Sequence, residues 1–181
     1  MISKVLGMLM MIFSLTLLPP IFVSYVFEEG AHQDFLLSFA VIFSIGIIMW
    51  LPFNAQKTEL SARDGLLITV MFWLELGIVG ALPFYLADSI NLTITDAIFE
   101  SMSGLTTTGA TVISGLDLLP KSILYYRQQL QWLGGIGIVV IAIAVMPMLG
   151  VGVIELYRAG ATSDKKLTPR IQATEKGRVN R

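Results

Sequence analysis

The chain has 181 residues, of which 55% are hydrophobic and only 14% charged, about half the charged share of a soluble domain. Its apolar residues fall in blocks long enough to cross a bilayer, so an ordinary soluble globule is excluded. The net charge of -1 says little by itself, and the absence of cysteine removes disulfides and thiolate metal sites.

The first apolar block runs from about Val5 to Phe27 and contains Pro19-Pro20, which should kink it or end its regular part. It is too long for a signal peptide and no A-x-A-like site follows it, so it is expected to be retained. The single histidine, His32, follows in a short acidic loop, where a solvated side chain is expected. The second span is Phe35 to Phe53, with Trp50 placed for an interface, and the third is Leu66 to Leu86. The fourth runs from about Leu130 to Val153, with Trp132 near its start and Pro147 near its far end.

Between the third and fourth spans lies Thr93 to Thr106, moderately apolar, with Asp96 and Glu100 inside it. A helix from Thr95 to Thr106 would be about 18 Å long, against a hydrocarbon core of about 30 Å. Such a helix cannot cross; it enters and returns, or lies outside. Thr93 or Thr95 can cap its start, and Asp96 places negative charge in its first turn. Gly104, three threonines and Gly109 end it, and β-branched residues beside glycine suit an extended exit.

Charge placement orients the spans. Seven Lys or Arg fall between Glu155 and Arg181, with Lys57 and Arg63 after the second span and Lys4 before the first. With four crossings these ten share one side. The other side carries Lys121 and Arg127 with Glu28, Glu29, Asp34, Asp88 and Asp117. The positive-inside rule then places both termini in the cytoplasm and brings the short helix in from outside. The basic tail is either this orientation signal alone or also a contact for a cytoplasmic partner or anionic lipid. The expected fold is an all-α membrane protein with four transmembrane helices plus one re-entrant pore helix and filter loop.

Leu105 to Thr111 read LTTTGAT. Irregular backbone at membrane depth is tolerated only inside protein or beside water. A short helix followed by Thr-Thr-Gly between two spans is how a potassium filter is built, with backbone carbonyls replacing the ion's hydration shell. Gly109 permits carbonyl directions that other residues resist, and the helix aims its negative C-terminal end at the cation.

Other residues carry open alternatives. Glu75, inside the third span, either pairs within the bundle or acts near the pathway. Glu100 is either a polar anchor behind the filter or an ion contact. Gln128 and Gln131 are expected to brace the loop. Gly134, Gly135 and Gly137 lack the strand and acidic partner of a nucleotide loop, which leaves close helix packing. No nucleophile with a base, metal cluster or paired carboxylates points to an enzyme. The rival to a pore is a non-conducting structural or signalling membrane protein whose Thr-Gly loop is an external turn.

Several motifs in combination resemble a known family. The run Asn91 to Ala97, then Phe99-Glu100-Ser101 through LTTTGAT, Tyr126-Arg127-Gln128, Gln131-Trp132-Leu133-Gly134-Gly135, Leu149-Gly150-Val151-Gly152 and Leu156-Tyr157-Arg158 are similar to those of the TrkH-like potassium transporters of the Trk/Ktr/HKT superfamily. The resemblance covers residues 1 to about 173. It implies four helix-pore-helix units around one pore and two additional N-terminal helices. Residues 1–54 would then be the additional pair, 55–64 a cytoplasmic loop, 65–153 the first helix-pore-helix unit with its re-entrant segment 93–111, and 154–181 a basic cytoplasmic tail. The filter motif maps onto Thr107, Thr108, Gly109 and Ala110, with potassium at the carbonyls of Thr107, Thr108 and Gly109 and with Thr106, Thr111 and Glu100 as support. Glycine at position 109 implies potassium preference over sodium. The resemblance further implies potassium as the transported ion with no organic cofactor, a bacterial inner (plasma) membrane location, dimerisation, a cytoplasmic nucleotide-binding regulator of TrkA type, and no nucleic-acid partner. Family chains are more than twice as long. Ending at Lys176 to Arg181, this chain is expected to be a fragment that holds one quarter of a filter and does not conduct alone.

Overall fold

The computed structural model describes residues 2–53 and 62–140. The chain divides into two compact units, residues 1–137 and 138–181, and the packing below is that of the first. Lys57, the basic tail, Pro147 and the far end of the fourth predicted span lie outside the described residues, as does the side chain of Arg63.

Every regular element among the described residues is helical. The first predicted span is two helices, α1 (Ile2–Leu15) and α2 (Leu18–Val26). The break has a direct cause. Pro19 and Pro20 fill the first turn of α2, where a missing N–H is tolerated. They cannot donate back to Leu15 and Thr16, so the α1 ladder stops there. The second span is α3 (His32–Trp50), extended by a 3-10 turn over Leu51–Phe53. His32 is therefore the first turn of a helix and half-buried, not a loop residue. Glycine sets the α1–α3 contact: a Cβ on Gly7 would lie 2.6 Å from the Gly46 carbonyl oxygen, and one on Gly46 would lie 2.9 Å from that of Gly7.

The third span is also broken, into α4 (Ala62–Val79) and α5 (Leu82–Leu86). Pro83 is the reason, since it has no N–H for the Val79 carbonyl. The chain tightens at the join, with Ala81 N–H donating to the Ile78 carbonyl at 3.2 Å. The short predicted helix is α6 (Ile94–Leu105), 12 residues long. Thr93 is its cap: Thr93 Oγ1 accepts from Asp96 N–H at 3.2 Å and donates to the Asp96 carboxylate at 2.6 Å. A 3-10 turn over Leu116–Leu118 leads to α7, helical over residues 121–140. The fourth predicted span thus begins nine residues earlier than Leu130. Its first turns mix buried Ile123 and Tyr126 with Lys121, Ser122 and Arg127, whose polar groups find partners on neighbouring elements.

By length and composition, three described helical segments could cross a membrane: Ile2–Val26, His32–Phe53 and Asp64–Leu86. Their outward faces carry large apolar side chains such as Phe22, Ile48 and Val70, a pattern that suits lipid or further protein rather than water. The buried centre joins Phe35, Phe84 and Tyr126. The Phe35 ring meets Tyr126 edge-on at 5.6 Å and the Phe84 ring lies 5.1 Å from it. The Tyr126 hydroxyl donates to the Gly80 carbonyl at 2.8 Å, which occupies a carbonyl at the α4–α5 break.

Candidate functional site

Helix α6 ends against two other helices, and glycine makes the approach possible. A Cβ on Gly134 of α7 would lie 1.9 Å from the Leu105 carbonyl oxygen, and one on Gly77 of α4 would lie 2.2 Å from the Met102 side chain. A methyl on Gly134 would meet the Leu105 backbone and displace α6, whereas one on Gly77 would force the flexible Met102 side chain to move. Of the three glycines read as packing residues, Gly134 makes the tightest contact. Gly137 faces Trp73 at 3.0 Å, and Gly135 has only the Thr107 methyl at 3.9 Å.

The chain leaves α6 through a tight hydrogen-bonded turn and then becomes extended. Thr106 N–H donates to Met102, Thr107 N–H to Gly104, and both Thr108 and Gly109 N–H to the Ser103 carbonyl at 3.0 and 3.3 Å. The N–H donors from Thr106 to Gly109 therefore point back at the helix end. Among the described residues, the carbonyls of Thr107, Thr108 and Gly109 accept no hydrogen bond. The Ala110 carbonyl differs, since the Ser103 hydroxyl donates to it at 2.6 Å.

Backbone geometry is unusual at two of these residues. Thr107 has φ +58° and Gly109 φ +71°, while Thr108 between them does not have positive φ. A left-handed residue turns over the next peptide plane, so two of them separated by one ordinary residue break the usual strand alternation of carbonyls. For glycine this is free of strain. For β-branched Thr107 it costs on the order of 1–3 kcal/mol, which neighbouring contacts must offset. The Thr106 hydroxyl donates to the Met102 carbonyl at 2.8 Å and lies 2.9 Å from the Thr108 hydroxyl.

Glu100 holds the far side of the loop. Its Oε1 accepts from the Thr111 hydroxyl at 2.5 Å and from Val112 N–H at 2.7 Å; its Oε2 accepts from Arg127 Nε–H at 2.9 Å. Glu100 is only 2% exposed. A buried carboxylate with three charge-assisted bonds is fully satisfied, so the geometry matches the anchor alternative. Arg127 is the partner that sequence reasoning missed. In the sequence it stands among the outer-side charges and in the Tyr126-Arg127-Gln128 motif, and nothing local pairs it with Glu100. Gln131 stands beside Gly109, its Nε2 2.9 Å from where a Cβ would be. Gln128 makes no hydrogen bond to the loop among the described residues; it lines a cavity of about 530 Å³ together with Thr16, Pro19, Tyr125, Gln129, Trp132 and Leu133. Glu75 lies apart on α4, with Oε2 buried and unpartnered among the described residues.

The chain is similar to several known proteins. A family model described as TrkH, cation transport protein, matches residues 31–176. The Trk system potassium uptake protein TrkH of Halomonas elongata is 54% identical over 179 residues, covering 97% of this chain and 37% of that protein. The TrkH protein of Escherichia coli K12 is 52% identical over 178 residues, and TrkG of the same organism is 40% identical, with the same coverage. The crystal structure of the potassium transporter TrkH from Vibrio parahaemolyticus superposes with a TM-score of 0.78 at 52% identity, covering 83% of this chain and 32% of that one. The chain spans a little over a third of the length of these relatives and belongs to the TrkH family of cation transport proteins.

Proposed function

We propose that Thr107, Thr108 and Gly109, with Ala110 at the margin, form one wall of the selectivity filter of a bacterial potassium uptake pore, with potassium as the transported ion. The observation that carries this reading is three carbonyls that accept no hydrogen bond among the described residues. They follow a short capped helix, on a loop whose N–H donors from Thr106 to Gly109 turn back to the helix end. A cation that sheds water at this point meets carbonyl oxygen in its place. The C-terminal end of α6 adds negative potential there. Glu100 and Thr111 hold the exit strand against α6 and keep the three carbonyls forward. Helix α6 enters from the outer side and returns, both termini are cytoplasmic, and α4–α5 and α7 frame the loop. Residues 1–54 are the N-terminal pair, 65–153 the first helix-pore-helix unit and 154–181 a cytoplasmic tail. Three further walls come from the part of a full-length transporter not represented in these 181 residues. That transporter sits in the inner membrane as a dimer and docks a nucleotide-binding regulator of TrkA type.

The experiment is a full-length chimera in which these residues replace the matching segment of the Escherichia coli relative, 52% identical. Gly109→Asp puts a carboxylate where φ is positive and where Gln131 stands against the Cβ position. It should abolish potassium uptake and leave membrane abundance unchanged. Normal uptake by that variant would remove the loop from the pathway and favour the external-turn reading.

A further inference from the structure

Helix α7 has two working faces, each defined by a seven-residue step, which returns a helix to nearly the same direction. One face carries Arg127 and Gly134, which hold Glu100 and the end of α6. The other carries Ser122 and Gln129, and both meet the N-terminal helix pair.

These latter contacts are specific. Helix α7 begins after Pro120, which has no capping side chain, so its first N–H groups need an outside acceptor. Glu29, from the loop between α2 and α3, provides it. Its Oε1 accepts Lys121 N–H at 2.6 Å; its Oε2 accepts Ser122 N–H at 3.0 Å and the Ser122 hydroxyl at 2.9 Å. Lys121 Nζ sits 3.8 Å from the centre of the Phe27 ring. Two turns along, Gln129 Nε2 donates to the Thr16 carbonyl at 2.5 Å. That carbonyl is the one Pro20 leaves without an intrahelical donor. The break in the first span therefore creates an acceptor, and α7 is fastened to it.

On the basis of the filter reading above, we propose that the N-terminal helix pair is a positioning element for the filter. Glu29 and the Thr16 carbonyl fix the roll and axial height of α7 through Ser122 and Gln129. The opposite face of the same rigid helix then presents Arg127 to Glu100, and Glu100 holds Thr111 and Val112. Glu29 and Gln129 touch no ion; they act on selectivity through this chain of contacts.

The test uses the full-length chimera and reads the ratio of potassium to sodium uptake at matched membrane abundance. Glu29→Ala combined with Gln129→Met should lower that ratio at least about threefold, the population shift expected from losing one or two hydrogen bonds. An unchanged ratio overturns the proposal. If the double variant does not reach the membrane, Glu29→Gln is read in its place, and it too must lower the ratio. A Glu29→Cys, Ser122→Cys pair, oxidised to link the two elements, should restore the wild-type ratio, and failure to restore it counts against positioning. Gly109→Asp in parallel tests the filter itself. If Gly109→Asp abolishes uptake while the Glu29 and Gln129 variants keep the wild-type ratio, the filter stands and the positioning proposal falls.

Discussion

Gly134→Ala and Gly135→Ala in the full-length chimera place the same methyl at adjacent positions of α7 and should have opposite effects. A Cβ at position 134 would sit 1.9 Å from the Leu105 carbonyl oxygen, 2.6 Å from its carbon and 2.9 Å from its Cα. All three are backbone atoms at the end of α6, so no rotamer can relieve the contact and the helices must separate by more than an ångström. Overpacking of this kind costs about 1–3 kcal/mol, occasionally more. Against it, alanine in a helix interior is favoured over glycine by about 1 kcal/mol. At position 135 only the Thr107 methyl lies nearby, at 3.9 Å, an ordinary contact, so the propensity gain should stand nearly alone. Gly134→Ala should therefore lower the thermal midpoint of the detergent-solubilised protein and depress potassium uptake, because Leu105 leads directly into the proposed filter loop. Gly135→Ala should be neutral or slightly stabilising, with uptake intact. Equal effects at the two positions would refute the close approach of α7 to the end of α6.

Further outcomes follow from the same contacts. Arg127→Met leaves Glu100 buried without its cation, and breaking a buried pair in this way costs about 3–5 kcal/mol. In a double-mutant cycle with Glu100→Gln, the coupling energy from thermal or denaturant unfolding should exceed about 1 kcal/mol. Tyr126→Phe removes the donor to the Gly80 carbonyl; it should destabilise by about 1–2 kcal/mol while transport survives. Glu29 is partly buried, which by itself raises its pKa, but hydrogen bonds from Ser122 and Lys121 and the Lys121 charge outweigh that and hold it below the usual glutamate value. A carboxyl held low stabilises the folded state at pH above its unfolded value and loses that contribution as pH falls through its folded one. The stability advantage of wild type over Glu29→Gln should therefore be present near neutral pH and shrink on acidification into the carboxylate range, as followed by unfolding at several pH values.

The apolar spans and the short helix were legible because each is set by local composition and length. Thr93 and Asp96 mark the start of α6 by cap chemistry alone, and the proline pair marks the break in the first span. The break at Pro83 was readable by the same rule but was masked by the continuous apolar run around it. The start of α7 was not legible from hydropathy. Lys121, Arg127 and Gln129 look like an outer loop until Glu29, Glu100 and the Thr16 carbonyl are in place, and those partners lie 27 to 113 residues away in sequence. The loop from Thr106 to Thr111 divides in the same way. Glycine at position 109 announces a positive φ, whereas the positive φ of Thr107 is imposed by the turn and runs against its own preference. The role of Glu100 needed Arg127, and the spacing of the two gives no local signal.

The central claim is that the carbonyls of Thr107, Thr108 and Gly109 coordinate the transported ion. The most direct measurement is anomalous diffraction from crystals of the full-length chimera soaked in rubidium, a heavy potassium surrogate. A rubidium peak within coordinating distance of those three carbonyls is expected. It should be lost when the same crystals are exchanged into sodium. A well-ordered loop at Thr106 to Thr111 with rubidium bound elsewhere, and none at these carbonyls, would contradict it.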